Sequence, residues 1–204
     1  MNFVKTTSCV LALALVGLLG CKNANKVDND KNIKTVAGLI SAKEKIVAAF
    51  GADKMVYSAT IMAKDHINDE FMYADISFIE KGVDMSQDLI ILPEEKINPA
   101  KSKTIQNPLV LKNKQGAIAL KDLKFEEIEA KVKDAEALIP SDYENFHLYR
   151  WVYNVDNERN VTANFTVEAA KKGETIETKG KMELANYYEM NFTMDENGIV
   201  RIAD

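Results

Sequence analysis

Thiols are scarce in this chain. Only two of its 204 residues are cysteine, Cys9 and Cys21. Everything after Cys21 therefore has no disulfide, no thiolate metal site and no cysteine nucleophile. Histidine is equally rare. His66 falls in a polar turn and His147 at a strand start, and neither has a second histidine at helical spacing. That excludes a zinc site of the HExxH kind, and each reads as a solvated or structural residue. No GxSxG elbow, glycine-rich phosphate loop or GxGxxG is present, so the signatures of many hydrolases and nucleotide enzymes are missing. Positive charge is in deficit: 26 Lys and Arg stand against 31 Asp and Glu, a net charge of -5. The densest basic groups are Lys171-Lys172 and Lys131/Lys133, too sparse for a nucleic-acid face. The acidic turns Asp156-Asn157-Glu158 and Asp195-Glu196-Asn197-Gly198 lack the six or so oxygen ligands of a calcium loop. Glu126-Glu127 sit on the wet face of a helix. These absences lead us to expect no catalytic residue, no metal site, no cofactor and no nucleic-acid partner.

What is present begins with one apolar run, Cys9 to Gly20, preceded by a single charge, Lys5. It has the form of a secretory signal and falls short of the roughly 20 apolar residues of a membrane-spanning helix. The run closes on Leu18-Leu19-Gly20-Cys21, after which the chain turns polar from Lys22 to Lys31. Leu18-Leu19-Gly20-Cys21 resembles the lipobox of bacterial lipoproteins, with leucine three before the cysteine and a small residue directly before it. Leu19 departs from the pattern, where a small residue is usual. The resemblance implies that residues 1–20 are a cleaved signal peptide and that Cys21 is lipidated, palmitate being one such chain. Two or three acyl chains hold a protein on a bilayer far more firmly than one. The implied location is the cell envelope, on the periplasmic or surface side. Lys22 after the cysteine, in place of Asp, favours the outer membrane. The resemblance covers the first 21 residues only. Residues 21–32 read as a polar tether.

Past the tether the pattern is helix, then strands. Residues 33–50 carry Ile33, Val36, Ile40, Val47 and Phe50 at helical spacings, with Gly51 as a C-cap and Gly38 as a weak point inside. Residues 55–64 and 70–80 read as two strands around the turn Asp65 to Asp69. Alternation puts Met72, Ala74, Ile76 and Phe78 on one side of the second strand, with Phe71, Tyr73, Asp75 and Ser77 on the other. A third strand is expected over 89–92. Residues 93–108 hold Pro93, Pro99 and Pro108 without a regular pattern, which in a compact domain marks a functional or mobile segment. A small hairpin is expected over 109–111 and 117–120. The scheme then restarts. Asp122 caps a helix over 123–139, with Phe125, Ile128, Val132, Ala135 and Ile139 as its stripe and Pro140 as its stop. Strands follow at 147–155, 161–169, 176–184, 188–194 and 198–202, the last pair turning at Asn197-Gly198.

Tyr73-Ala74-Asp75-Ile76-Ser77-Phe78 aligns with Thr162-Ala163-Asn164-Phe165-Thr166-Val167, and Lys81-Gly82 with Lys172-Gly173. These matches predict an α+β fold made by tandem duplication of a helix-then-antiparallel-sheet unit, over 33–122 and 123–204. Two such units in tandem resemble the β-lactamase-inhibitor-protein architecture, in layout only. That resemblance implies a broad sheet that grips another protein. The expected function is a non-catalytic protein-binding or assembly module of the envelope. The alternative is a lipoprotein carrying an apolar ligand between sheet and helix. Phe71, Tyr73, Tyr149, Trp151 and Tyr153 are the candidate partner-binding residues, because aromatic side chains often anchor interfaces. For Tyr149, Trp151 and Tyr153, burial as the core face of their strand competes with that role.

Overall fold

The structure, a computed structural model, describes residues 29–91, 93–106, 116–174, 177–179, 182–184 and 186–203. The lipobox-like residues 18–21, Cys21 among them, and the strand expected over 109–111 lie outside them.

Helix α1 runs Val36–Phe50. It starts later than the apolar spacing suggested because Thr35 caps it, its hydroxyl accepting from the Gly38 amide. The buried stripe is Leu39, Ala42 and Ile46, while Val36 and Ile40 are exposed. The face is thus rotated from the expected one. Gly38 sets that rotation: a Cβ there would meet the Asn32 carbonyl oxygen at 1.9 Å. The preceding chain passes directly against it, and Ile33, in that chain, is fully buried.

Strands β1 (Met55–Val56), β2 (Ser58–Ala63), β3 (Phe71–Glu80) and β4 (Val83–Ile90) follow. The β3–β4 turn is Lys81-Gly82, both at positive φ. Strand β4 starts well before the expected residue 89, because Asp84, Ser86 and Asp88 alternate with Met85, Gln87 and Leu89 and hid the pattern. Short strands β5 (Lys96–Ile97) and β6 (Lys101–Ser102) both pair with β4. Strand β7 (Ile118–Ala119) pairs with β1. A 3-10 turn at Phe125–Glu127 leads into helix α2 (Ile128–Glu136), so Asp122 does not cap it. Its expected stripe is buried throughout. Strands β8 (Tyr143–Val155), β9 (Val161–Lys171), β10 (Glu177–Lys179), β11 (Met182–Leu184), β12 (Tyr188–Met194) and β13 (Val200–Ile202) complete the chain.

The fold is mixed helix and sheet, with few helices and a large antiparallel sheet. Nine strands join in the order β13-β12-β9-β8-β2-β3-β4-β5, with β6 also on β4. The central pair is β2 with β8, so the first long strand after each helix meets the other. One face carries a continuous apolar row through the register, Leu89, Ala74, Ile61, Trp151, Phe165 and Phe192. The buried faces of α1 and α2 share one core with this row, so both helices cover the same face of the sheet. The helices also touch: the Val36 amide donates to the Glu129 carboxylate at 2.7 Å, an anion at a helix start where the dipole favours one.

The opposite face is polar. Its rows read Asp88, Asp75, Thr60, Val152, Asn164 and Thr193, then Ile90, Tyr73, Met62, Arg150, Thr166 and Asn191.

Two β-bulges correct the aromatic candidates. Between Met62 and Ala63 the register slips, so Ala63 faces Phe71 and Met72 is extra. One extra residue turns everything before it to the other face. Phe71, expected outward, is therefore in the core at 3% exposure. A second slip lies between Leu148 and Arg150. It separates Tyr149 from Trp151 and Tyr153, which are in the core at 1% and 4% exposure. Those three buried rings present no surface to a partner. Trp151 instead stacks on Phe165 with ring centroids 4.5 Å apart, and the Tyr153 hydroxyl donates to the Lys124 carbonyl.

Candidate functional site

Chemistry gathers on the polar face at two places. The first is where the Asp65–Asp69 turn between β2 and β3 meets β8 and β9. His66 Nδ1 lies 2.5 Å from Glu168 Oε1, and the Ile67 amide donates to Glu168 Oε2 at 2.7 Å. Ile67 has φ 52° there, a rare conformation for a β-branched residue. Glu168 is 0% exposed although it stands on the polar side of β9. The His66 ring is stacked between Tyr149, with centroids 4.9 Å apart, and Tyr187, at 4.2 Å. The hydrogen bond to Glu168 holds the imidazole pKa above its ordinary value, against a desolvation penalty, and the charges of Asp65 and Glu189 add to it.

Glu189 on β12 is the cross-strand neighbour of Glu168. One ligand-capable atom from each of His66, Glu168 and Glu189 lies within 4.8 Å of the other two. The second histidine holds the same turn from the other side. His147 Nδ1 is 3.0 Å from Asp69 Oδ2, and the Leu148 amide donates to Asp69 Oδ1 at 2.7 Å. Reading both histidines as lone residues is thereby corrected, since each meets a carboxylate brought by the tertiary fold.

The second place is a carboxylate group at the β3–β4 end. Asp84 and Asp88 are buried, at 2% and 7% exposure. The segment after β4, expected to be functional or mobile, lies over them. Asn98 Nδ2 donates to Asp88 Oδ2 at 2.6 Å, Lys101 stands 3.7 Å from Asp88, and Lys103 stands 3.6 Å from Asp84. Tyr57 donates its hydroxyl proton to Asp84 at 2.5 Å while accepting from Lys103 Nζ. Burial and the Asp84 hydrogen bond push the Tyr57 pKa up. Asp75 stands beside Asp88 on the next strand. Desolvation pushes its pKa up to about 6, Lys103 pulls it down and Asp88 adds repulsion. Tyr73, the one outward aromatic candidate on β3, is half-buried on this face. Its pKa is pushed up to about 12 by burial, then by Asp75 and Asp88.

The rest of the face, over β8, β9 and β12, is open. Arg150, Asn164 and Asn191 are exposed there, around a depression of about 340 Å³. A separate cavity of about 310 Å³ lies where the approach to α2 meets the sheet, lined by Leu123, Ile128, Trp151, Tyr153, Val161 and Met194 among others. The acidic turns are occupied by their own backbone. Asp156 Oδ1 accepts from the Glu158 and Asn160 amides, and Asp195 Oδ1 from the Asn197 and Ile199 amides.

Sequence reasoning passed over Glu168, Glu189, Asp69 and Tyr187. The one signal available was a single charge among Val167, Ala169 and Ala170 on β9, which alternation assigns to solvent. Compared with family models, curated proteins and solved structures, the chain matches none. No helix among the described residues is long and apolar enough to cross a membrane.

Proposed function

We propose that this chain is a lipid-anchored protein of the cell envelope that acts as a non-catalytic binding or assembly module. On this reading its polar sheet face, over β8, β9 and β12, contacts a partner protein. The observation that carries it is the one-sided cover of the sheet. Both helices pack on one face, while Arg150, Asn164 and Asn191 stand exposed on the other. A sheet covered on one side leaves the other for solvent or a partner. The central meeting of β2 with β8 supports a tandem duplication of one helix-and-sheet unit, as in the inhibitor-like layout. It makes one broad surface from two halves.

A photo-crosslinking residue placed at Asn164 in cells should give one discrete adduct, and the same residue at Glu44 on α1 should give none. Adducts of equal yield at both positions, or none at Asn164, would sink the proposal. The anchor has its own measurement. Cys21→Ala should abolish partition into a detergent phase and leave the fold intact. A variant that still enters the detergent phase would remove Cys21 as the lipid site.

The cavity beside α2 supports a second reading, a carrier of a small apolar ligand, because Leu123, Ile128, Trp151, Tyr153, Val161 and Met194 form an apolar wall in it, beside charged residues that include Glu127, Lys131 and Asp195. Lipid or other small molecules released from purified protein and seen by mass spectrometry would decide for the carrier. A clean extract would decide against it.

A further inference from the structure

We infer that His66, Glu168 and Glu189 form a binding site for a divalent first-row transition-metal ion. The three residues come from distant parts of the chain, the β2–β3 turn, β9 and β12. Their ligand-capable atoms nevertheless converge within 4.8 Å of one another. The donor set, one imidazole nitrogen and two carboxylates, suits Zn²⁺, Mn²⁺ or Fe²⁺ better than Ca²⁺ or Mg²⁺, which take oxygen ligands. An ion with bonds near 2.1 Å needs ligand atoms about 3–4 Å apart, inside the 4.8 Å limit within which these atoms lie. His66 Nδ1 and Glu168 Oε1, at 2.5 Å across a hydrogen bond, part by about 1 Å as the ion displaces the shared proton.

The charge arrangement is the independent reason to expect a cation. Glu168 and Glu189 stand directly opposite each other on neighbouring strands, and like charges so placed repel. Glu168 is also fully buried, and buried charges are normally paired or bound to metal. Among the described residues its ion-pair partner is one imidazole, with 37% of that side chain exposed. A divalent ion between the carboxylates removes the repulsion and supplies a lasting positive charge.

The surroundings already orient the ligands. Tyr149 and Tyr187 clamp the His66 ring from both faces, and the Ile67 amide holds the second oxygen of Glu168. Such outer contacts tune and hold metal ligands. With three protein ligands, the ion keeps at least one position for water. Bound there, it ties the β2–β3 turn to β9 and β12.

The test is calorimetric titration of the full-length chain with ZnCl₂, and separately with CaCl₂, near neutral pH. One Zn²⁺ per chain is expected. Glu189→Gln and His66→Gln should each weaken binding at least tenfold, consistent with the loss of a metal contact. Both residues reach the surface, so circular dichroism should report an unchanged fold. Glu44→Gln, exposed on α1 across the sheet from the cluster, should bind as the unaltered chain does. No saturable Zn²⁺ binding, binding unaffected by both cluster variants, or tighter binding of Ca²⁺ than of Zn²⁺ would each overturn the site.

Discussion

Trp151→Ala is expected to destabilise the protein by about 3–5 kcal/mol, the usual cost of removing a buried aromatic side chain. Trp151 is 1% exposed and sits mid-row between Ile61 and Phe165 at the junction of β2, β8 and β9. It stacks on Phe165, which stacks in turn on Phe192. Alanine leaves a void against two aromatic neighbours, Phe165 and Tyr153, and β-strand backbone in a nine-stranded sheet cannot collapse to fill it. For a chain of this length the melting temperature should fall on the order of 10 °C. Trp151→Phe keeps most of the volume and should cost much less. The measurement is urea unfolding followed by circular dichroism. Equal midpoints for the alanine variant and the unaltered chain would show that Trp151 is not the central packing residue described here.

Asp75→Asn is expected to act in the opposite sense and to stabilise the protein at pH 7.5 by at most about 3 kcal/mol. Asp75 has its pKa raised from 3.8 to about 6 in the folded state, first by desolvation and, against the pull of Lys103, by repulsion from Asp88. A raised carboxyl pKa means the folded chain prefers the protonated form. The stability associated with that form is fully present below about pH 3.8 and is lost as pH rises through about 6. At pH 7.5 Asp75 is ionised in both states, and the roughly two-unit shift corresponds to a penalty of at most about 3 kcal/mol, which solvent screening of this part-exposed side chain reduces. Asparagine never ionises, so it removes the penalty and leaves only the small cost of burying an amide. Urea midpoints compared at pH 4.0 and pH 7.5 should show a gain at the higher pH that vanishes at the lower. A variant less stable than the unaltered chain at pH 7.5 would mean that Lys101, Lys103 and Arg150 draw more from Asp75 than its burial costs.

The stripe of α2 was legible because Phe125, Ile128, Val132, Ala135 and Ile139 recur at one helical period, and one side of α2 is all that meets the core. The stripe of α1 was misread. Close contact of Asn32 with Gly38 is a tertiary fact, and it turned Leu39, Ala42 and Ile46 inward instead of Val36 and Ile40. Phe71 was misplaced for a similar reason. Alternation counts residues one by one, and a bulge at Met72 adds one that the partner strand does not match.

The site was less visible than the fold. His66 looked isolated because its partners, Glu168 and Glu189, are about a hundred residues away in the chain. Each of those glutamates occupies a polar-side position that looks like ordinary solvent exposure. Likewise the proline-bearing stretch after β4 showed no period, because its contacts are made by Asn98, Lys101 and Lys103 with carboxylates of β4 and not by a repeating apolar face.

By itself the sequence determined the local properties: helix and strand periods, the turns at Lys81-Gly82 and Asn197-Gly198, the acidic balance and the absence of thiols after Cys21. These depend on neighbours within a few residues. The tertiary structure alone decided which face each strand presents, which carboxylates lie under cover, and that two separate histidines meet acids distant from them in the chain. Those outcomes depend on strand register and on the order of strands in the sheet. Both are set by the sum of many weak contacts across the whole core, and no short window of residues contains that sum.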